Sequence, residues 1–304
     1  MYYEYYLEKL KQGKVPEFLQ KYLDCPSLRR LKQIDYFCGM QYASKKVYNF
    51  TEDISRFDHS LTTALLVYNL TKDKKATIAA LFHDIATPCF SHVIDYMNKD
   101  FQKQESTEEY TEQIIMTDDY VLKYLKQDNI NPEEIIDFKK YPILDNDRPK
   151  LCADRLDGII LTGISWTKDI RNKEIDLILD DLIILNNENN EPEIGFKNPS
   201  IAKKVLEISN NMDKHCQSNY DNYMMLLLAK ITKLAIEKGY IKYELLFYIN
   251  EKEFLNLLKT KNDREINKLL YIFFNIHPAN IKKIESPNIK RRILAPLTKE
   301  KRIS

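Results

Sequence analysis

The sequence predicts a mostly all-α protein, and three of its features support that class. Only 6 of the 304 residues are glycine, which argues against a Rossmann-type sheet and against a turn-rich β-sandwich. Apolar residues make up 44% of the chain and charged residues 30%, as in globular proteins that bury a sizeable core. Apolar positions also recur at helical spacing along most of the chain.

The first half is predicted to consist of helices separated by prolines and by one loop. Ser27 is a candidate N-cap for a helix that follows it, and Asp58 is a candidate N-cap for the helix behind it. Residues 39–53 show no clean period and are predicted to form a loop, with a short hairpin around 47–50. Further helices are predicted over 74–85, just after Pro88, over 105–127 and 132–138, and from residue 152 onward.

The second half combines one predicted hairpin with further helices. Two apolar runs flank the polar run 186–191, so residues 182–196 are predicted to form a β-hairpin whose loop is that polar run. Helices are predicted over 199–215, 219–238, 241–248, 251–259 and 263–275. We expect residues 1–164 to form a helical core with N-terminal helices. Residues 165–304 are expected to form a helical extension packed on that core.

The charge of the chain is unevenly distributed. The formal net charge is +1, but residues 280–304 carry about +6, which leaves about −5 on the remainder. A basic tail of this kind is solvated, faces another subunit or contacts phosphates. Nucleic-acid binding is the weaker expectation, because no aromatic residues are interleaved with these cations.

Five scattered cysteines, none in a CxxC spacing, indicate free thiols in a reducing compartment. The first residues lack the basic and apolar regions of a signal peptide, and no apolar run approaches the length of a membrane span. These features predict a cytoplasmic protein.

One ordered combination of residues predicts a metal site. Arg56-Phe57-Asp58-His59-Ser60 opens a helix, His83 and Asp84 end the next helix, and Asp154 lies near the start of a later one. Imidazoles and carboxylates together suit divalent metals. A His-Asp pair alone is more often a helix cap or a surface pair, so the prediction depends on the whole order, including the following Phe90-Ser91-His92.

These motifs resemble those of the HD-domain phosphohydrolases, and most closely the branch that contains the deoxynucleoside triphosphate triphosphohydrolases. The resemblance runs from about Pro26 to Ile164. It implies an all-α HD-domain core around one divalent metal ion, which is Mn, Mg, Fe, Co, Ni or Zn. The metal ligands that it implies are His59, His83, Asp84 and Asp154.

The resemblance also implies substrate-binding and catalytic residues. Gln33 matches a position that touches the nucleoside, and Arg56 and Arg155 match positions that bind phosphate. Three residues are candidates for proton transfer, and these are His92, Asp95 and Glu108.

The chain departs from the family pattern where proton transfer is expected. Thr87 stands in the place of a catalytic histidine, and the run 105–109 lacks the histidine of an expected His-Glu pair. Asp157-Gly158 and Thr162-Gly163 replace residues that hold the sugar and phosphates in the family. A threonine does not exchange a proton near neutral pH, so it cannot act as the general acid or base.

Two functions therefore stay open. The first is a metal-dependent phosphohydrolase that acts on a nucleotide or a related phosphate ester by means of a metal-activated water. The alternative is a nucleotide-binding or regulatory protein on the same scaffold, with weak or no catalysis. The resemblance further implies a homo-oligomer.

Overall fold

The computed structural model describes residues 1–285 and 287–303, and within these ranges the chain is mostly α-helical. They contain fifteen α-helices and three short strands. This confirms the predicted class, a helical protein with further C-terminal helices and a small β-hairpin. In the described ranges we find no helix long and apolar enough to span a bilayer.

Residues 1–165, all of them described, contain the first ten α-helices. They are α1 Tyr2–Lys11, α2 Glu17–Gln20, α3 Pro26–Arg30, α4 Arg56–Thr71, α5 Lys74–Phe82, α6 Val93–Asn98, α7 Thr111–Thr117, α8 Asp119–Gln127, α9 Glu133–Ile136 and α10 Ala153–Ser165. The remaining helices are α11 Asn172–Asp181, α12 Pro199–Cys216, α13 Asn219–Glu237, α14 Glu251–Lys261 and α15 Arg264–Asn275. Short 3₁₀ turns join several of them, including Leu31–Gln33 and Tyr243–Phe247.

Helix α4 lies at the centre of the core. It packs against α5, α10 and α1, and eleven of its first twelve residues are buried. A helix that is buried on nearly all sides belongs to the interior of a domain. Because α4 and the start of α10 are in contact, the residues at their first turns are brought together.

Two predicted helix caps are wrong by a few residues. The N-cap of α4 is Ser55, whose hydroxyl accepts from the amide of Asp58, while the Asp58 carboxylate accepts from the Ser55 amide. This reciprocal capping box places Asp58 at the third position of the helix. Helix α3 begins one residue before Ser27, because Pro26 occupies its first position, which suits proline.

Two other predicted elements differ in the structure. The predicted helix over 105–127 is divided into α7 and α8, because the Asp118 carboxylate accepts from the amides that begin α8. Residues 47–50 form no hairpin. The chain at 44–51 is held instead by long-range bonds, such as that from the Thr51 amide to the Ser165 carbonyl.

A three-stranded sheet lies beside the helices. Strand β1, Leu182–Asn186, pairs antiparallel with β2, Pro192–Phe196, and forms the predicted hairpin. Strand β3, Leu297–Thr298, pairs parallel with β2. A strand of two residues inside a proline-broken tail has no period to detect, so the sequence did not predict it.

We call residues 287–303 the C-terminal strap. Its backbone is fastened to the body of the protein, since the Arg292 amide donates to Asp213 in α12 and the Ala295 amide to the Pro149 carbonyl. The backbone of this stretch is therefore attached to the body of the protein, and the three predicted roles of its basic side chains stay open.

Arg302 is expected to stabilise the attachment of the strap. Its guanidinium donates at 2.7 and 2.8 Å to both carboxylate oxygens of Glu193, a fully buried residue of β2. Arg302→Ala leaves that buried charge without its cation, so we expect a loss of about 3 kcal/mol in the free energy of unfolding. Urea titration measures it. Lys301→Ala, at an exposed neighbour, is the control, and equal stability of the two variants would contradict this account.

Candidate metal centre and active-site cavity

Three side chains converge between the first turns of α4 and α10 and the C-terminal end of α5. His59 lies in the first turn of α4, His83 directly follows α5, and Asp154 lies in the first turn of α10. The Oδ1 atom of Asp154 is 3.0 Å from His59 Nε2 and 3.5 Å from His83 Nε2. One ligand atom from each of the three lies within 4.8 Å of the others, close enough to share one metal ion.

Asp84 completes this cluster. Its Oδ2 atom lies 3.8 Å from His59 Nε2 and 3.9 Å from His83 Nε2. The same oxygen accepts a hydrogen bond of 2.9 Å from Arg56 Nη1. Burial favours the neutral carboxyl, but the Arg56 guanidinium and the two imidazoles outweigh burial and lower the pKa of Asp84. All four predicted metal ligands are thus brought to one place.

The outer nitrogens of both imidazoles donate to fixed acceptors. His59 Nδ1 donates to Asp157 Oδ2 at 2.7 Å, and His83 Nδ1 donates to the Ala80 carbonyl at 2.7 Å. Each ring therefore turns Nε2 toward the cluster. Asp157 also accepts from the Tyr6 hydroxyl, and it is fully buried.

The donor set fits a divalent cation on two further grounds. His83 Nε2 is buried and has no hydrogen-bond partner among the described residues, so the site lacks a group that this nitrogen should face. Burial disfavours a charged His59, yet hydrogen bonds to Asp154 and Asp157 outweigh burial and raise its pKa to about 10. The cluster therefore attracts positive charge at the place where a metal ion would sit.

The cluster opens into a cavity of about 910 Å³. The cavity is lined by residues of the loop between α9 and α10, of α10 and α12, of the segment 36–50 and of the strap. This size lies in the range of small-molecule sites. Aromatic rings line part of it, and these are Tyr36, Phe37, Tyr48, Phe50, Tyr96, Phe138 and Trp166.

His92 and Asp95 form a hydrogen-bonded pair at this cavity. His92 lines the cavity, and its Nδ1 atom donates to Asp95 Oδ2 at 2.9 Å. Asp95 is fully buried, and its other oxygen accepts from the Ser106 amide. Asp95 is absent from the cavity wall among the described residues, and its link to the cavity is the hydrogen bond to His92.

The other predicted catalytic positions differ in their surroundings. Glu108 lines the cavity, and its carboxylate is paired with Lys139 at 2.9 Å. Thr87 is buried, its hydroxyl has no partner among the described residues, and it does not line the cavity. Because threonine stands at position 87 in place of the histidine of the family, there is no proton-transfer group at this position.

Two of the three predicted substrate-binding residues line the cavity, and the third lies outside it. Arg56 lines the cavity, but it is bonded to Asp84 and to the Tyr36 carbonyl. Arg155 also lines the cavity, and its guanidinium is bonded to residues 145–150 of the preceding loop. Gln33 lies outside this cavity, on a separate shallow depression, so its placement gives no support to the predicted nucleoside contact.

Several residues at the cavity were missed by the sequence analysis. Asp157 stands three positions after Asp154 on the same helix, and this spacing could have indicated it as a partner of a metal ligand. Arg148, Lys290 and Arg292 also line the cavity. The basic tail was noted, but no local pattern indicates that it returns to the site.

Comparisons with known proteins agree with this geometry. A family model described as the HD domain matches residues 56–147, which include His59, His83 and Asp84. The uncharacterized protein YdhJ of Bacillus subtilis is 27% identical over 272 residues, covering 88% of this chain and 78% of that protein.

A second relative is the metal-dependent phosphohydrolase cns2 of the fungus Cordyceps militaris. It is 23% identical over 214 residues, covering 69% of this chain and 60% of the fungal protein. Together with the four-residue cluster, these similarities imply a divalent metal ion as the cofactor. Residues 56–147 are thus similar to the HD domain, and the chain is similar, at low identity, to a metal-dependent phosphohydrolase.

Proposed function

We propose that this protein is a metal-dependent phosphohydrolase that acts on a nucleotide or a related phosphate ester. The observation that carries the proposal is the convergence of His59, His83, Asp84 and Asp154 at the wall of a cavity large enough for such a substrate. The fungal phosphohydrolase among the relatives supports the same class of reaction.

The four converging side chains would hold the metal ion. When bound, a divalent ion supplies a Lewis acid for the phosphate group and acidifies a water molecule. The protein's own part is to fix the ligands. Arg56 holds Asp84 by an ion pair, and Asp157 holds His59 in the tautomer whose Nε2 faces the cluster.

We assign the proton transfer to His92, with Asp95 as its positioning residue. A ring whose Nδ1 proton is bound by a buried carboxylate presents Nε2 as the exchangeable position, and a histidine is suited to proton transfer near neutral pH. Glu108 has a weaker claim, because Lys139 neutralises it.

The cavity's aromatic wall supports a nucleotide as the substrate. The rings of Phe37 and Phe50 stack at 4.4 Å between centroids, and Tyr48 and Trp166 pack beside them. Such rings provide planar apolar surface for a base. The branch of deoxynucleoside triphosphate triphosphohydrolases and the homo-oligomer remain predictions from resemblance, and the cytoplasmic location remains a prediction from composition.

The cavity extends across the predicted domain boundary at residue 164. Its wall contains residues of both predicted parts, for example Arg155 and Met212. We therefore propose that 1–164 and 165–304 act as one functional unit, whether or not each folds alone.

Removal of single ligands should remove the metal. His83→Ala and Asp84→Ala each take away one donor of the cluster, so we expect less than about one tenth of the wild-type metal content and no measurable hydrolysis. Elemental analysis of purified protein measures the first effect. His277→Ala, at an exposed histidine, should retain the metal. Full occupancy in both ligand variants would contradict the assignment.

Asp157→Asn tests the support of His59. An amide in this place accepts less strongly from His59 Nδ1, so metal affinity should fall by about 10- to 100-fold while the protein remains folded. Competition with a fluorescent chelator gives the affinity, and circular dichroism checks the fold. An unchanged affinity would show that Asp157 serves packing alone.

His92→Gln is expected to slow hydrolysis by about 10²- to 10⁴-fold without loss of metal, because glutamine keeps polar contacts but transfers no proton. Steady-state kinetics together with elemental analysis separate these two effects. Asp95→Asn should show a smaller loss in kcat. A normal rate in His92→Gln would move the proton transfer to another group.

The function itself is tested with a panel of nucleotides and phosphodiesters. Protein reconstituted with Mn, Mg, Co or Ni should release phosphate or a phosphate ester from at least one compound. Calorimetry on the same panel addresses the alternative. Binding of nucleotides without any turnover would favour a regulatory module, and the absence of both would exclude the two functions.

A further inference from the structure

Three basic side chains on one side of the cavity lack acidic partners. Arg148 lies in the loop before α10, and Lys290 and Arg292 lie in the strap; all three line the cavity. Within residues 1–285 and 287–303 none of them forms an ion pair, whereas the neighbouring Lys150 and Arg291 pair with Glu191 and Asp213.

Of the three cations, Arg292 has the side chain with the fewest hydrogen-bond partners among the described residues. Its Nη1 atom is buried and has no hydrogen-bond partner among the described residues. Only its backbone is engaged, through the bond from its amide to Asp213. A buried guanidinium nitrogen left without an acceptor costs free energy, so it is an unusual feature unless an acceptor joins it.

The three cations also act on one another. Burial lowers the pKa of Arg148 to about 10, and the positive charges of Arg155 and Arg292 add to that effect. Burial lowers the pKa of Lys290 as well, with further contributions from Arg148 and Arg292. These cations are therefore close enough to repel, and an anion placed among them would relieve the repulsion.

The acidic groups nearby act on the cluster through space but form no ion pair with it in the described ranges. Glu105, Asp147 and Asp221 also line the cavity, but no ion pair links any of them to the three cations within the described ranges. Asp221 accepts a hydrogen bond from Tyr48, and burial raises its pKa to about 7.

We propose that Arg148, Lys290 and Arg292 form an anion-binding subsite in the same cavity as the metal centre. It holds an anionic group of the substrate other than the phosphate that is hydrolysed. This inference rests on the proposed function and narrows its substrate class to phosphate esters that carry at least one additional anionic group, such as a second phosphate.

A purely structural role explains these cations less well. The strap is already attached by the Arg291–Asp213 and Arg302–Glu193 ion pairs and by backbone bonds. Among the described residues, the side chains of Lys290 and Arg148 reach only neutral carbonyl oxygens, at 2.9 and 3.4 Å, and that of Arg292 reaches no acceptor. Bidentate arginine is well suited to phosphate, and the three positive charges of two arginines and a lysine are enough to neutralise a phosphate group. The cluster thus has the chemistry of a ligand site.

The test uses inorganic pyrophosphate and the metal-free full chain, prepared with a chelator and then desalted. Calorimetry should show binding to the wild type, and Arg292→Met should weaken it by about tenfold, the effect of losing one charge-assisted hydrogen bond. Lys283→Met, at an exposed lysine that does not line the cavity, should bind as the wild type does. Wild-type protein without affinity, or equal affinity in Arg292→Met, would overturn the proposal.

Thermal unfolding provides a second readout. Without anion, Arg292→Met should melt at or above the wild-type temperature, because an unpaired buried cation is removed. With pyrophosphate, the Tm of Arg292→Met should rise less than that of the wild type. A rise equal to that of the wild type would count against the subsite. Lys290→Met and Arg148→Met repeat the measurement on the other two cations.

These outcomes separate the subsite from the function on which it rests. Suppose that the variants lose pyrophosphate binding and that the wild type hydrolyses no phosphate ester. This result would support the subsite and reject the proposed function. Hydrolysis with unchanged pyrophosphate binding in all three variants would reject the subsite and leave the proposed function in place.

Discussion

A single buried carboxylate, that of Asp157, connects the packing of three helices to the geometry of the metal centre. It stands in α10 and accepts from Tyr6 in α1 and from His59 and Thr62 in α4. A carboxylate without solvent is costly unless such donors surround it, so the three helices cannot shift independently. The orientation of the His59 ring follows from this packing requirement, and the position of the ligand atoms follows from the ring.

The metal ligands could be predicted because they obey local rules. His59, His83 and Asp154 each lie at a helix terminus, and helix termini are indicated by caps and prolines a few residues away. His92 and Asp95 were predicted from the resemblance, and their spacing of three at a helix start is consistent with both lying on one side. The sequence could not show which of the two faces the cavity. Only the structure shows that His92 lines the cavity and that Asp95 is buried away from it.

The site predictions that the geometry does not support depend on long-range contacts. Gln33 was expected at the substrate, yet the chain after α3 places it on another surface. Arg155 was expected to bind phosphate, and in the fold its donors are taken by the loop 145–150, a contact that depends on how that loop turns. The strap's approach to the cavity depends on partners far away in the chain, such as Asp213, which is 79 residues before Arg292. No periodicity encodes such pairs.

The position of the strap has a consequence for the order of assembly during synthesis. The metal ligands, residues 59–154, leave the ribosome well before residues 287–303, and chains begin to fold from the N-terminal side as they emerge. A nascent chain can therefore gather its four ligands while one wall of the cavity is still missing. The strap adds its part of the cavity wall only once it pairs with β2 and α12.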